Sequence, residues 1–490
     1  MLTEWQRRHC GSQVGNVNNT LIKVLPLVGL LVCSLSLLCV LWGFPVNFSS
    51  LEVLGGVLFL QILVAALWKY RECFFPLLIL IFLWAGSDVP LRETWAFGRW
   101  FVLIGGAVVG FVAYLKHTHH HFGFFHLVAL SAGLVALISA YQSMHPTVAL
   151  LKAVSLLILF VYAASGARLA IIGREARFFS GLLIACEFLI YASAISYFIF
   201  HFAIFGNPNS LGVVTGVVVT PLMVWGVLAT ERVTERHRRC IGLALSLVLL
   251  FSSYSRAGIL AAAGSSVLLG IALRRYRWLI TGAAIATLFA VLVATVLAPR
   301  SDASSSVVDA FLYKGQRGHL LTSRKSIWDE TTSVIRQHPW FGAGFGTNVA
   351  SSDIFNESMF KSSSQATKEH GSSYLAILEG VGLLGVLPFY TLLFLVSANI
   401  ARVFRRVRRT GDPLSPALPV AVVLLAGLVG GAFEDWIFGV GYYACVFFWS
   451  FAFVLADLVP AEASAPSPVI IGPWRNGFAA IPQADHAPVY

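Results

Sequence analysis

Residues 373–400 read SYLAILEGVGLLGVLPFYTLLFLVSANI, and residues 401–409 continue as ARVFRRVRR. The first segment carries one charged residue, Glu379, and it is long enough to cross the hydrocarbon core of a bilayer as one α-helix. The arginines that follow directly are typical of the cytoplasmic end of a membrane helix. This stretch therefore predicts a spanning helix whose C-terminal end lies in the cytoplasm.

The rest of the chain has the same apolar character. Of its 490 residues, 57% are hydrophobic and 12% are charged, whereas a soluble domain is about half apolar and about a quarter charged. We predict an all-α polytopic membrane protein with about 14 transmembrane helices. The predicted spans are 24–43, 51–68, 73–87, 99–115, 124–141, 149–165, 179–200, 211–229, 240–254, 257–273, 278–298, 373–400, 415–433 and 438–457.

The net charge of +11 has a topological explanation. With the N-terminus in the cytoplasm, most Lys and Arg residues fall in the predicted cytoplasmic segments, as the positive-inside rule requires. We therefore expect membrane lipids, and no nucleic acid, as partners. The predicted organisation is eleven helices in residues 1–298, a large periplasmic loop at 299–372, three helices in 373–457 and a flexible cytoplasmic tail at 458–490. No cleavage site of a signal peptide is evident after the first apolar run.

The loop at 299–372 is the longest polar stretch, and loops of this length are usually functional or disordered. Its content of Trp and Phe favours an ordered loop. Residues 323–337 are predicted to form a short amphipathic helix, because Ile327, Trp328, Val334 and Ile335 recur on one helical face. Such a helix can lie on the membrane surface.

Arg256 stands between two apolar runs with almost no loop around it. Its guanidinium must lie at or just below the external surface of the membrane, where an ionisable residue is a functional-site hypothesis. The planar guanidinium suits a phosphate group. The alternative is an arginine that reaches the interface only to solvate its charge.

Arg324 and Trp328 are four residues apart and share a face of the predicted loop helix. A basic group above an apolar face could bind the headgroup of a lipid diphosphate. Arg317 and Lys325 are weaker candidates of the same kind. The alternative is that these cations are only solvated.

His370 lies where the loop re-enters the membrane, and histidine can take up a proton near neutral pH. Either His370 or the adjacent Glu369 could activate a hydroxyl group; the alternative is a structural histidine. Residues 342–346, Gly-Ala-Gly-Phe-Gly, either bind an anion through backbone amides or form a tight turn. Glu379 is expected to pair with a polar partner between helices.

Four segments, in this order, resemble the O-antigen ligase/polymerase family. They are Asn207-Pro208-Asn209-Ser210 at the start of a span, Ser255-Arg256-Ala257-Gly258, the pair Arg324-Lys325-Ser326-Ile327-Trp328 and His338-Pro339-Trp340-Phe341-Gly342-Ala343-Gly344, and finally His370-Gly371-Ser372-Ser373-Tyr374-Leu375 with Gly382-Leu383-Leu384-Gly385. The likeness runs from about 205 to 390. One departure is that Gly371 follows the histidine, where the family usually has Asn or Ser. Either the helix start is shifted, or His370 is not the equivalent residue.

The resemblance implies a membrane glycosyltransferase of the GT-C-like type, in the bacterial inner membrane and with its active face in the periplasm. It implies a metal-independent reaction, without a cofactor, whose donor is a glycan on undecaprenyl diphosphate. By this analogy Arg256 and Arg324 hold the diphosphate, and His370 positions or deprotonates the acceptor. Arg317, Lys325, Glu369 and Trp328 would be substrate-binding.

The acceptor defines the function within this class. A polymerase that joins repeat units of an exopolysaccharide or O-antigen is the reading we favour, and a ligase that transfers glycan to the lipid A-core is the alternative. A flippase or other transporter is the alternative from another class. Other polysaccharide-assembly proteins are candidate partners.

Overall fold

The computed structural model describes residues 50–88, 90, 92–116, 122–143, 146–202, 204–205, 207–284, 322–347 and 370–464. Within these residues the fold is helical and contains no β-strand. The helices are α1 (Ser50–Leu67), α2 (Phe74–Ala85), α3 (Arg92–Lys116), α4 (Phe124–Tyr141), α5 (Pro146–Ile171), α6 (Glu175–Ala194), α7 (Pro208–Val213), α8 (Thr220–Ala229), α9 (Val233–Ser252), α10 (Arg256–Ala272), α11 (Thr322–Gln337), α12 (Ser373–Thr410), α13 (Ala417–Gly431) and α14 (Tyr443–Ser464). A π-helical turn, Ile195–Ile199, continues α6, and a second, Val214–Val219, joins α7 to α8.

The long apolar helices make this a multi-pass membrane protein. In the described residues, six helical stretches are long and apolar enough to cross a membrane: Gly98–Leu115, Phe124–Tyr141, Pro146–Ile171, Glu175–Ile199, Asn209–Ala229 and Ser373–Thr410. Shorter apolar helices include Arg256–Ala272 and Ala417–Gly431. The predicted span at 24–43 and the part of 278–298 beyond residue 284 lie outside the described residues, so the count of about 14 stays a prediction.

Glycines allow the helices of the central region to approach closely. A Cβ on Gly216 would overlap the backbone of Gly258, and a Cβ on Gly258 would overlap the carbonyl of Gly212. Small residues at a crossing let two membrane helices bring their backbones together, which compensates for the missing hydrophobic driving force in lipid. This crossing places the start of α7 beside the start of α10.

Helices α7, α10, α12 and α14 begin at the same end of the bundle, which we call the site end. The Tyr443 hydroxyl at the start of α14 donates to the Ser210 carbonyl in α7 at 2.8 Å. The Ser373 amide at the start of α12 donates to the Glu434 carbonyl, between α13 and α14, at 3.1 Å. The arginines that end α12 therefore lie at the opposite end of the bundle.

Helix α12 is interrupted at Gly382, whose backbone angles are φ 69° and ψ −177°. The segment 338–347 lies along this interruption. Its hydrogen bonds with the helix run from the Ala343 amide to the Glu379 carbonyl at 2.8 Å and from the Gly344 amide to the Gly380 carbonyl at 3.0 Å. The Gly342 amide is likewise bound to the His338 carbonyl. The glycine-rich segment is therefore a tight turn, as one of the two sequence alternatives predicted, and these three amides are not free for an anion.

Candidate functional site

Helix α11 lies over the site end and is held there by two side chains on one of its faces. The Arg324 Nη2 atom donates to Glu434 Oε1 at 2.7 Å, and both side chains are largely buried. The Trp328 indole nitrogen donates to the Gly371 carbonyl at 3.3 Å. Arg324 and Trp328, which are four residues apart on one face, therefore join α11 to both the α13–α14 connection and the start of α12.

Steric crowding explains why residue 371 is a glycine, where the family pattern has Asn or Ser. Its φ of +67° is in the left-handed region, which favours glycine. A Cβ at this position would lie 3.0 Å from Trp328 Nε1 and 3.4 Å from Arg324 Nη1. A side chain on residue 371 would therefore crowd α11, which here packs directly on the backbone.

His370 is clamped between two carboxylates. Its Nδ1 atom lies 2.6 Å from Asp435 Oδ2, and its Nε2 atom lies 3.4 Å from Glu379 Oε2. Burial alone would lower the pKa of the imidazole, but its hydrogen bond with Asp435, its close contact with Glu379 and the negative charges of both carboxylates raise it to about 9. At neutral pH the ring is therefore an imidazolium.

Ser373 holds the turn that carries the acidic residues of the site. Its fully buried hydroxyl donates to the Glu434 carbonyl at 2.7 Å. The same oxygen accepts from the Trp436 amide at 3.0 Å and the Ile437 amide at 3.1 Å. One side chain at the start of α12 therefore fixes the backbone on both sides of Asp435.

We expect Ser373→Ala to loosen this turn. Two buried amides would lose their acceptor, which costs about 1–3 kcal/mol for each group left unpaired. A misplacement of about 1 Å in the side chains that the turn carries would lower turnover by about 100-fold. Melting temperature in detergent and turnover would both be measured, with Ser333→Ala on the exposed face of α11 as the control. Unchanged values for Ser373→Ala would show that the turn does not depend on this hydroxyl.

Arg256 is the first residue of α10. The Ser255 side chain caps the helix, with its Oγ accepting from the Gly258 amide at 3.3 Å. Five residues further on, the Ala261 Cβ lies 3.9 Å from the point that a Cβ added to Gly430 would occupy, near the end of α13. Because Glu434 follows closely after that helix, Arg256 lies at the site end as well, partly buried.

The structure brings three of the predicted site residues together and places a fourth nearby. Arg324, Trp328 and His370 form one contiguous cluster with their partners, and Arg256 is at the same end of the bundle. Lys325 is exposed on α11. Two further candidates, Arg317 and Glu369, lie outside the described residues. The catalytic and binding roles of all seven stay predictions.

Three acidic residues of the cluster were not assigned to the site from the sequence. Glu379 was expected only to pair with a polar group between helices, and Glu434 and Asp435 were not singled out. The available signal was an adjacent acidic pair, Glu434-Asp435, in the short predicted external connection between the predicted spans 415–433 and 438–457. In the described part of the chain, no three His, Cys, Asp or Glu side chains form a group that could hold a metal ion.

A comparison with protein families matches residues 241–390 to the family model described as O-antigen ligase. No individual curated protein matches the chain. The matched region contains Arg256, Arg324, His370 and Glu379, whereas Asp435 lies beyond it. The match at residues 241–390 supports the O-antigen ligase/polymerase family, which the four sequence segments resemble.

Proposed function

We propose that this protein transfers a glycan from undecaprenyl diphosphate to an acceptor on the periplasmic face of the bacterial inner membrane. The form we favour is a polymerase that joins lipid-linked repeat units of an exopolysaccharide or O-antigen. The observation that carries the proposal is the convergence of Arg256 and Arg324 with several helix N-termini at one end of a membrane bundle, beside a clamped histidine.

The electrostatics of the site end favour a diphosphate. Each helix N-terminus carries a partial positive charge and unpaired amides, and anions bind there readily. Arg256 is the first residue of α10, and Arg324 lies in the first turn of α11, where it pairs with Glu434. Two guanidinium groups beside helix N-termini suit a ligand with two phosphates.

The position of the site agrees with a lipid-borne donor. The opposite end of the bundle carries the arginines of α12 at 402–409, which the positive-inside rule assigns to the cytoplasm. At the site end, Trp340 and Phe341 are 59% and 51% exposed, and the Leu384 amide donates to the Trp340 carbonyl. Aromatic side chains beside exposed leucines are typical of the membrane–water interface.

In the proposed reaction a new glycosidic bond replaces the bond to the lipid diphosphate, and the acceptor hydroxyl gives up its proton to a base of the site. The acceptor hydroxyl oxygen attacks the anomeric carbon of the donor sugar, and the bond from that carbon to the diphosphate oxygen breaks. The electron pair leaves with the lipid diphosphate, so negative charge develops on it in the transition state. Arginines fixed beside that oxygen would stabilise this charge, which is the largest single effect in many enzymes.

We expect Arg256→Ala to lower glycan transfer by about 100-fold or more, because a fixed donor to the developing charge is worth about 10²–10³ in rate. Purified protein in lipid nanodiscs would be given lipid-linked glycan without ATP or an ion gradient, and new glycosidic bonds would be counted. Arg405→Ala, at the opposite end of α12, is the matched control and should keep its activity. Normal transfer by Arg256→Ala would exclude a donor role for this residue, and no transfer by the wild type would contradict the proposed chemistry.

A ligase is the second candidate, since the matching family model carries that description. Polymerase and ligase share the donor and differ in the acceptor. A deletion strain distinguishes them, because a lost polymerase leaves short chains that are still attached to their acceptor. A lost ligase leaves full-length glycan on the lipid carrier, and that result would replace the polymerase proposal.

A further inference from the structure

Both ring nitrogens of His370 are already engaged. Nδ1 pairs with Asp435 and Nε2 with Glu379, whose carboxylate is 1% exposed. Within the described residues, Glu379 makes no hydrogen bond, so the imidazolium is the charge that balances it. A histidine in this position has no lone pair with which to accept a proton from an incoming hydroxyl group.

Asp435 differs from the other acids of the cluster in its access to solvent. Its side chain is 24% exposed, compared with 12% for Glu434 and 1% for Glu379. In the part of the chain that the structure describes, only Oδ2 is hydrogen-bonded, at 2.6 Å to His370. The Oδ1 atom is therefore available, and Ser373 fixes the backbone on which it is carried.

We propose that Asp435 is the catalytic base that accepts the proton of the acceptor hydroxyl, with His370 as a positioning residue that stays charged; this assignment rests on the proposed glycan transfer. The acceptor oxygen forms its bond to the anomeric carbon while its proton moves to Asp435 Oδ1. The bond to the diphosphate breaks, and the leaving group keeps that electron pair. Inverting glycosidases use a carboxylate in the same way, as the base that activates the oxygen attacking the anomeric carbon.

The surrounding charges allow this assignment. Glu434 is neutralised by Arg324, and Glu379 shares the charge of His370. Lys152 on α5 lies within electrostatic reach of Asp435, and its ammonium group donates to the Gly346 carbonyl. Asp435 thus lies close to His370 and within electrostatic reach of Lys152, and its side chain is partly exposed to solvent.

Asp435→Asn tests the base directly in the full-length protein. We expect turnover to fall by about 100-fold or more, since a positioned base contributes about 10²–10⁴. Binding of undecaprenyl diphosphate, measured by the shift in melting temperature, should stay unchanged, and Asp435→Glu should recover part of the turnover. Asp412→Asn, in the exposed turn at the opposite end, is the control. Turnover within tenfold of the wild type, or a glycan covalently attached to Asp435, would overturn the assignment.

The pH dependence of the wild type gives a second test that does not need a variant to fold. If His370 must be protonated, turnover falls as the pH rises through about 9, its pKa between Asp435 and Glu379. If neutral His370 were the base, turnover would rise over the same interval. Lys152→Arg should show the same decrease in turnover above about pH 9. Because arginine does not titrate in this range, the decrease would then not come from Lys152.

The two proposals fail separately. If Arg256→Ala and Arg324→Ala are inactive and Asp435→Asn is active, the assignment of the base is wrong and the proposed donor site is retained. If both arginine variants are active and Asp435→Asn is inactive, the proposed donor site is wrong and the assignment of the base is retained.

Discussion

Arg324→Ala is expected to abolish glycan transfer and also to destabilise the protein. The loss of its charge beside the leaving diphosphate lowers the rate by about 10²–10³. It also leaves Glu434 largely buried without the cation that lies 2.7 Å away. Breaking such a pair from one side costs about 3–5 kcal/mol. Turnover in nanodiscs and melting temperature in detergent measure the two effects.

A second substitution separates these effects. In Arg324→Ala/Glu434→Ala no carboxylate is left unpaired, so we expect the melting temperature to return towards that of the wild type while transfer stays absent. Arg324→Lys keeps the charge but lacks the planar guanidinium group, so we expect its glycan transfer to lie between that of the wild type and that of Arg324→Ala. Arg336→Ala, exposed in the last turn of the same helix, is the control. Recovery of transfer in the double variant would show that Arg324 serves only the fold.

Gly382→Ala should have the largest effect on folding. The backbone angles of Gly382 lie in a region that is essentially open only to glycine, and strain there costs about 1–3 kcal/mol. A Cβ would also lie 2.5 Å from the Gly342 nitrogen and 2.5 Å from the Trp340 carbonyl atoms. Neither neighbour can move easily, because both are backbone of the segment bound to α12. We expect little folded protein, measured by size exclusion and melting temperature.

Gly264→Ala is the matched control for this prediction. Gly264 lies inside α10, and a Cβ there would meet nothing within 4 Å. Alanine is favoured over glycine in a helix interior by about 1 kcal/mol, so this variant should be as stable as the wild type or more so. If Gly382→Ala melted at the same temperature as Gly264→Ala, the interruption of α12 would not depend on this glycine.

The membrane helices could be predicted because their signal is local. The predicted span at 124–141 coincides with α4, and the spans at 257–273 and 415–433 correspond to α10 and α13. Helix α12 runs on past the predicted apolar span, 373–400, to Thr410. The extra turns carry arginines, which are disfavoured in lipid but are good helix formers in the headgroup region and beyond.

Only some residues of the candidate site were predicted from the sequence, and there is a physical reason why the others were missed. Arg324 and His370 were found through short motifs that keep their order along the chain. Glu434 and Asp435 contact them across 110 and 65 residues of sequence. No periodicity connects positions so far apart, because an ion pair depends on distance in space and not on spacing along the chain.

The sequence by itself determined that the chain is a multi-pass membrane protein, and it predicted that most basic residues lie on the cytoplasmic side, since apolar length and Lys/Arg asymmetry are properties of single segments. Only the tertiary structure decided the partners of His370, the reason for Gly371 and the role of the glycine-rich turn. Each of these depends on which helix ends meet, and that is settled by packing between distant segments rather than by any one of them.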